Sequence, residues 1–321
     1  MRLGTRGSAL ALAQAALVAE RLQADRSDRV EIVTIATTGD RDAQSADKSR
    51  WVLELERALL AGEIDLAVHS AKDVPGELGE GLELLGAPAR AAVEDVLCLP
   101  APAAHSKQAT GLGGLEDLMP GARVGTSSVR RAAQLRAARE DLEIVTIRGN
   151  VDTRLRKLGT GGLDAIVLAR AGLQRLDREA EIGALLDPAR FVPAPGQGTL
   201  ALEGRTTDAA TRAAVQGITD TTAFTSLRAE RAVAGALGAS CATPLGVHAA
   251  DAGCGCLHMH AWVGLPDGSA WIADELVGGF YDPEALGRRM AERLQSAGAE
   301  ELLSRALELA GTQPTQPRAR S

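Results

Sequence analysis

The chain has 321 residues, 45% of them apolar and only 2% aromatic, with a formal net charge of −7. The acidic total argues against a general nucleic-acid binder, which carries a basic domain or stripe. Four cysteines in this length argue against a disulfide framework. There is no uninterrupted apolar run of about 18 residues, so no membrane span is expected. The N-terminal segment lacks a signal-peptide layout, and the chain reads as soluble and cytoplasmic.

Strand-like and helix-like segments alternate along the first two thirds. Glu31–Thr37 reads as a strand. Trp51–Leu60 reads as a helix, because Trp51, Leu55 and Leu59 recur at four-residue spacing. Asp65–Ser70 is a short buried strand, and Arg123–Gly125 leads into a helix near Val129–Arg139. Ile144–Ile147, a helix near Val151–Leu158, and the strand Asp164–Ala169 continue the pattern. Such alternation predicts parallel sheets with helices on both faces. Leu99–Ala103 and Pro193–Gly198 are Pro-rich stretches suited to hinges between two lobes. The last third changes character. A helix near Thr222–Leu237 precedes a Gly- and Cys-containing segment, 238–256, expected to hold a loop. A strand over 257–264, a turn at Pro266–Ser269 and a helix near Pro283–Leu309 complete a smaller α+β domain. The tail from Gly311 is polar and reads as disordered. No internal repeat is visible.

In α/β sheets, ligands bind beyond the carboxyl ends of strands, and charged groups gather there. After the strand at Asp65 come Lys72 and Asp73, with Pro75 opposing continuation into a helix. A cation beside a carboxylate suits an anionic substrate and keeps the acid ionised. A solvated Lys–Asp loop is the plainer alternative. In RVGTSSVRR, Thr126, Ser127 and Ser128 stand where a strand turns into a helix, a place for an anion. Arg130 and Arg131 add guanidinium groups that grip carboxylates bidentately. The same residues read equally as a Ser N-cap with surface arginines. Arg148 and Arg154 in IRGNVDTR, and Arg175 in AGLQRL, follow two further strands. Arg6 and Ser8 precede the first helix, which also reads as an ordinary capped surface helix. Cations at four strand exits together point to a cleft for a polycarboxylate.

Cys241 lies among small residues between Gly238 and Gly246. A cysteine in such a place is more often a small hydrophobe than a nucleophile. In CGCLHMH, Cys254, Cys256, His258 and His260 alternate, so a strand would put all four on one face. Two thiolates and two imidazoles are zinc-type ligands. Four such residues along one strand nevertheless form a line and not a tetrahedron, so no metal site is expected.

Taken in order, RGSALALAQA, DLAVHSAKDVP, VGTSSVRRAAQL, IRGNVDTRLRKL, DAIVLARAGLQRL, PAPGQG and GASCATPLG resemble the porphobilinogen deaminase family over nearly the whole chain to about residue 310. The resemblance implies an α/β fold: two periplasmic-binding-protein-like lobes with parallel-dominated sheets, plus a smaller C-terminal α+β domain. With the hinges above, it implies residues 1–98 and 199–217 as domain 1 and 104–192 as domain 2. Residues 221–310 form domain 3 and 311–321 a tail. It implies a covalent dipyrromethane on Cys241 and Asp73 as the acid/base group. It implies Arg6, Ser8, Lys48, Lys72, Ser128, Arg130, Arg131, Arg148, Arg154 and Arg175 as holders of cofactor and substrate carboxylates. It implies porphobilinogen as substrate and hydroxymethylbilane as product, and the expectation is a monomer with no nucleic-acid or membrane partner. One stretch departs from the family pattern. Where a Gly-Gly-Lys-Gly-like loop before an aromatic is usual, this chain has SADKSRW, with Lys48 and Trp51 in place, no glycines, and Gln44 where the family has lysine. Loss of glycine restricts a loop, so a degenerate, slowly elongating relative is the alternative.

Overall fold

The computed structural model describes residues 1–24, 29–35, 49–100, 114–240, 242–253 and 255–312. The first lobe opens with β1 (Arg2–Arg6), α1 (Ala9–Ala24), β2 (Glu31–Ile35), α2 (Ser49–Leu60), β3 (Leu66–Ser70) and β4 (Leu82–Gly86). Helix α2 follows the expected spacing, with Leu55 and Leu59 buried. In α1, Ala11, Ala15, Val18 and Leu22 form the inward stripe. Strand β3 is central, and its Leu66, Ala67 and Val68 are buried, as a strand covered on both faces requires.

The second lobe contains β5 (Asp95–Cys98), β6 (Arg123–Gly125), α3 (Val129–Ala138), β7 (Glu143–Val145), α4 (Val151–Thr160), β8 (Ala165–Ala169), α5 (Arg170–Gln174) and β9 (Ile182–Leu186). The chain then returns to the first sheet as β10 (Leu200–Arg205) and α6 (Ala209–Ile218). The two sheets have the same plan: β2-β1-β3-β10-β4 and β7-β6-β8-β5-β9. In each, one strand runs against the other four: β10 in the first, β5 in the second. Each reversed strand is the one that follows a crossing between lobes. The sequence shows no repeat, yet the topology is duplicated. The crossing to the second sheet precedes Asp95, upstream of Leu99–Ala103, because Asp95–Cys98 already pairs with β8 and β9.

The crossing segments run side by side. Ala91 N–H donates to Gly198 C=O at 3.1 Å. Gly198 has φ +85°, and a Cβ there would lie 2.6 Å from the Ala91 carbonyl oxygen. Only glycine permits that approach.

The last unit is α7 (Thr221–Ala236), β11 (Leu245–Gly253), β12 (Cys256–Gly264), β13 (Trp271–Gly279), α8 (Pro283–Ser296) and α9 (Ala299–Thr312). Its strands form an antiparallel meander, β11-β12-β13. Two expectations change here. Residues 245–253, in the segment 238–256 that carried no strand expectation, form a strand, because Leu245, Val247 and Ala249 alternate inward against Met259, Ala261 and Val263. The helix expected over 283–309 is two helices, because Gly298 at φ +100° breaks it. The cores are built from Leu, Val, Ile and Ala, as the scarcity of aromatics required; the core on one side of the second sheet holds a single Phe, Phe191. No described helix is long and apolar enough to cross a membrane.

Candidate active site

The groups chosen from the sequence fall in both lobes, with unequal partners; Arg6, Ser8 and Asp73 share one cleft of the first lobe. Arg6, Ser8, Gln14, His69, Ser70 and Asp73 line a small cleft of about 80 Å³ on the first lobe. Ser8 caps α1, accepting from Ala11 N–H at 3.3 Å. Asp73 ends a 3-10 turn, Ala71–Asp73, that continues from β3. Beneath the cleft the His69 ring nitrogen meets Glu203 Oε2 at 2.8 Å, both side chains buried.

The second lobe supplies cations. Ser128 caps α3 by accepting from Arg131 N–H at 3.4 Å. Arg130 and Arg131, expected to grip ligand carboxylates, are buried against Asp95. Arg130 Nη2 donates to Asp95 Oδ2 at 2.7 Å, and Arg131 Nη2 and Nε donate to Oδ1 at 2.7 and 3.0 Å. Their remaining Nη1 groups reach the Val192 and Val167 carbonyls. Burial alone would raise the Asp95 carboxyl, but the two guanidinium groups outweigh it, and Lys72 adds to them; the acid stays well below the usual carboxylate range. Three cations thus act on this one carboxylate at the lobe junction.

Arg154 donates from Nε to Gly149 C=O at 2.8 Å. Its pKa is lowered by burial first and by Arg131 second, while Asp73 acts to raise it. Asp73 of one lobe and Arg154 of the other therefore feel each other's charge. Arg148 is exposed at the exit of β7. Arg175 is turned to the returning crossover, donating from Nη2 to Gly198 C=O at 2.6 Å, and burial lowers its pKa to about 10. Lys72 Nζ donates to Gln197 Oε1 at 3.3 Å. Cys241, Lys48 and Gln44 lie outside the described residues.

Four residues that sequence reasoning passed over organise this region. Asp95 holds both arginines. Gln197 donates to Asp95 Oδ1 at 2.8 Å and to Val93 C=O at 2.7 Å. Buried Glu230 of α7 accepts from Arg90 at 2.7 Å and from Gly196 and Ala249 N–H at 2.6 and 2.8 Å, tying the third unit to the crossover. Gln197 stood in PAPGQG, read only as a hinge. Asp95, Arg90 and Glu230 carried no local signal, since their ion-pair partners lie 35 to 140 residues away.

A two-lobed α/β framework, with Asp73 in a cleft and several cations gathered near it, is the class of protein that binds an anionic ligand and has a group able to move protons. The profile of the porphobilinogen deaminase dipyromethane cofactor binding domain matches residues 1–213, and that of the porphobilinogen deaminase C-terminal domain matches residues 224–296. Porphobilinogen deaminase of Deinococcus radiodurans is 43% identical, covering 94% of this chain and 97% of its own. That of Thermus thermophilus is also 43% identical with the same coverage. That of Acidothermus cellulolyticus is 44% identical over 94% of this chain and 91% of its own. The chain belongs to the porphobilinogen deaminase family.

The residues present fit the family's dipyrromethane. A group bearing carboxylates suits the cationic and hydroxyl donors Arg6, Ser8 and Arg154, which stand at or beside the cleft that holds Asp73.

Proposed function

We propose that this transferase joins four porphobilinogen molecules, with loss of ammonia from each, into the linear tetrapyrrole hydroxymethylbilane. When bound to Cys241, dipyrromethane supplies the primer, a pyrrole carbon nucleophile. Asp73 protonates the departing amine of porphobilinogen and takes up the proton released on coupling. Its carboxylate also stabilises positive charge on pyrrole nitrogen. Arg6, Ser8, Arg148 and Arg154 hold acetate and propionate groups, with Lys72, Ser128 and Lys48 assigned the same task. Fixing those carboxylates orients the reacting carbons, where a large part of the rate gain arises. Arg130, Arg131 and Arg175 act on the ligand chiefly through field and position, since the nitrogens described above are engaged by protein oxygens.

The observation that carries this reading is Asp73 in the cleft with Arg154 of the opposite lobe acting on it. The resemblance to the family assigns the attachment to Cys241; Cys98 is unsuited to it, being buried, with burial pushing its thiol up to about 12. We take residues 1–98 with 199–217, 104–192 and 221–310 as three domains, with the strand Asp95–Cys98 reassigned to the second. The enzyme is taken as a cytoplasmic monomer, and the net charge of −7 supports work on a small molecule and not on nucleic acid. No observation favours a degenerate relative.

Intact-mass measurement tests the reading. The purified protein should carry one dipyrromethane, absent from Cys241→Ser, and should consume porphobilinogen. A bare wild-type chain with no turnover would overturn it.

A further inference from the structure

The C-terminal sheet has two faces. Leu257, Met259, Ala261 and Val263 of β12 face the core made with α7 and α8. His258 and His260 of the same strand face the other way, half-exposed. Glu275 of β13 is registered directly opposite His260. Its Oε2 lies 3.4 Å from His258 Nε2 and 3.5 Å from His260 Nε2. The two imidazoles approach to 3.3 Å, His260 Nε2 to His258 Nδ1. One ligand atom from each of the three residues falls within 4.8 Å of the other two.

Two edges of that triangle have the length a metal site needs. A zinc ion binds imidazole nitrogen and carboxylate oxygen at about 2.0–2.2 Å, so two ligands at tetrahedral angles lie about 3.4 Å apart. Both imidazole–carboxylate edges match. The cross-strand glutamate removes the objection that residues along one strand only form a line. We propose that His258, His260 and Glu275 bind one first-row divalent ion of the zinc class, at a site separate from the cleft that holds Asp73.

The donor set selects the ion. Two imidazoles and one carboxylate suit zinc, nickel, cobalt or copper, whereas calcium and magnesium prefer oxygen alone. Burial first, and His258 second, lower the proton affinity of His260. Three protein ligands leave a further position for water or an exogenous ligand. Cys256 lies on the same face two residues from His258 but is not part of the triangle.

The test uses the full-length protein without an affinity tag, titrated with zinc chloride against a chromophoric chelator. One equivalent should bind. His260→Ala and Glu275→Gln should each weaken it at least about tenfold, since loss of even an outer partner costs that much. Cobalt in place of zinc should give a tetrahedral absorption band that both variants lose. Circular dichroism checks their fold, and Cys256→Ser should bind as wild type does. No stoichiometric binding by the wild type would overturn the proposal. So would undiminished affinity in either variant, or a loss that follows Cys256→Ser alone.

Discussion

Gln197 donates its side-chain amide to Asp95 Oδ1 at 2.8 Å, joining the segment that returns from the second lobe to the first residue of the strand that enters it. The same Gln197 accepts from Lys72 of the first lobe at 3.3 Å. The two crossings and the cleft are thus one hydrogen-bonded unit, with Asp95 at its centre.

Asp95→Asn removes the countercharge of two buried guanidinium groups. Breaking a buried pair costs about 3–5 kcal/mol, because the remaining charge is uncompensated. Urea unfolding should report a loss of that size. The sign with pH is fixed by the depressed folded pKa of Asp95. Its stabilisation is complete above the ordinary carboxylate value, about 3.9, and is lost as pH falls through the folded value. The variant should therefore show a shallower acid dependence below about pH 4 than the wild type.

Asp73→Asn keeps shape and removes the proton carrier. The variant should retain the Cys241-linked mass while turnover falls about 10²–10⁴-fold, the usual worth of general acid–base help. Near-normal porphobilinogen consumption would remove Asp73 from its assigned role.

Arg148→Leu changes an exposed side chain and should leave thermal unfolding unchanged. Loss of a charge-assisted contact to a carboxylate is worth about 1.5–3 kcal/mol, so cofactor assembly or early elongation should weaken about tenfold or more. The readouts are the primed fraction by intact mass and the rate of the first addition. A fully primed variant with ordinary rates would count against the assignment.

Gly198→Ala places a Cβ 2.6 Å from the Ala91 carbonyl at a φ of +85°. The backbone conformation alone costs about 1–2 kcal/mol for an L residue, and the close contact adds to that. The variant should unfold at lower denaturant. Gly217→Ala, where a Cβ meets nothing within 4 Å, is the control and should be nearly neutral.

Local pattern carried much of this protein. Four-residue apolar spacing in α2, the apolar run of β3 and the Ser128 cap each depend on neighbours within one turn or strand, so they were legible before any fold was known. The family motifs likewise placed Asp73 and the arginines at strand exits, and the cleft lining holds Arg6, Ser8 and Asp73 together. What the chain alone did not disclose depends on partners distant in sequence. Arg130 and Arg131 looked like ligand-binding groups because Asp95, 35 and 36 residues away, gave no sign of neutralising them. The shared plan of the two sheets was hidden because strand order constrains backbone pairing and burial, which many sequences satisfy. His258 and His260 read as part of a line until strand register set Glu275 beside them. Sequence determines which residues can form each element and what chemistry they bear. Only tertiary pairing decides which charges meet, because electrostatic and ligand geometry depend on distances of a few ångströms that separation along the chain does not encode.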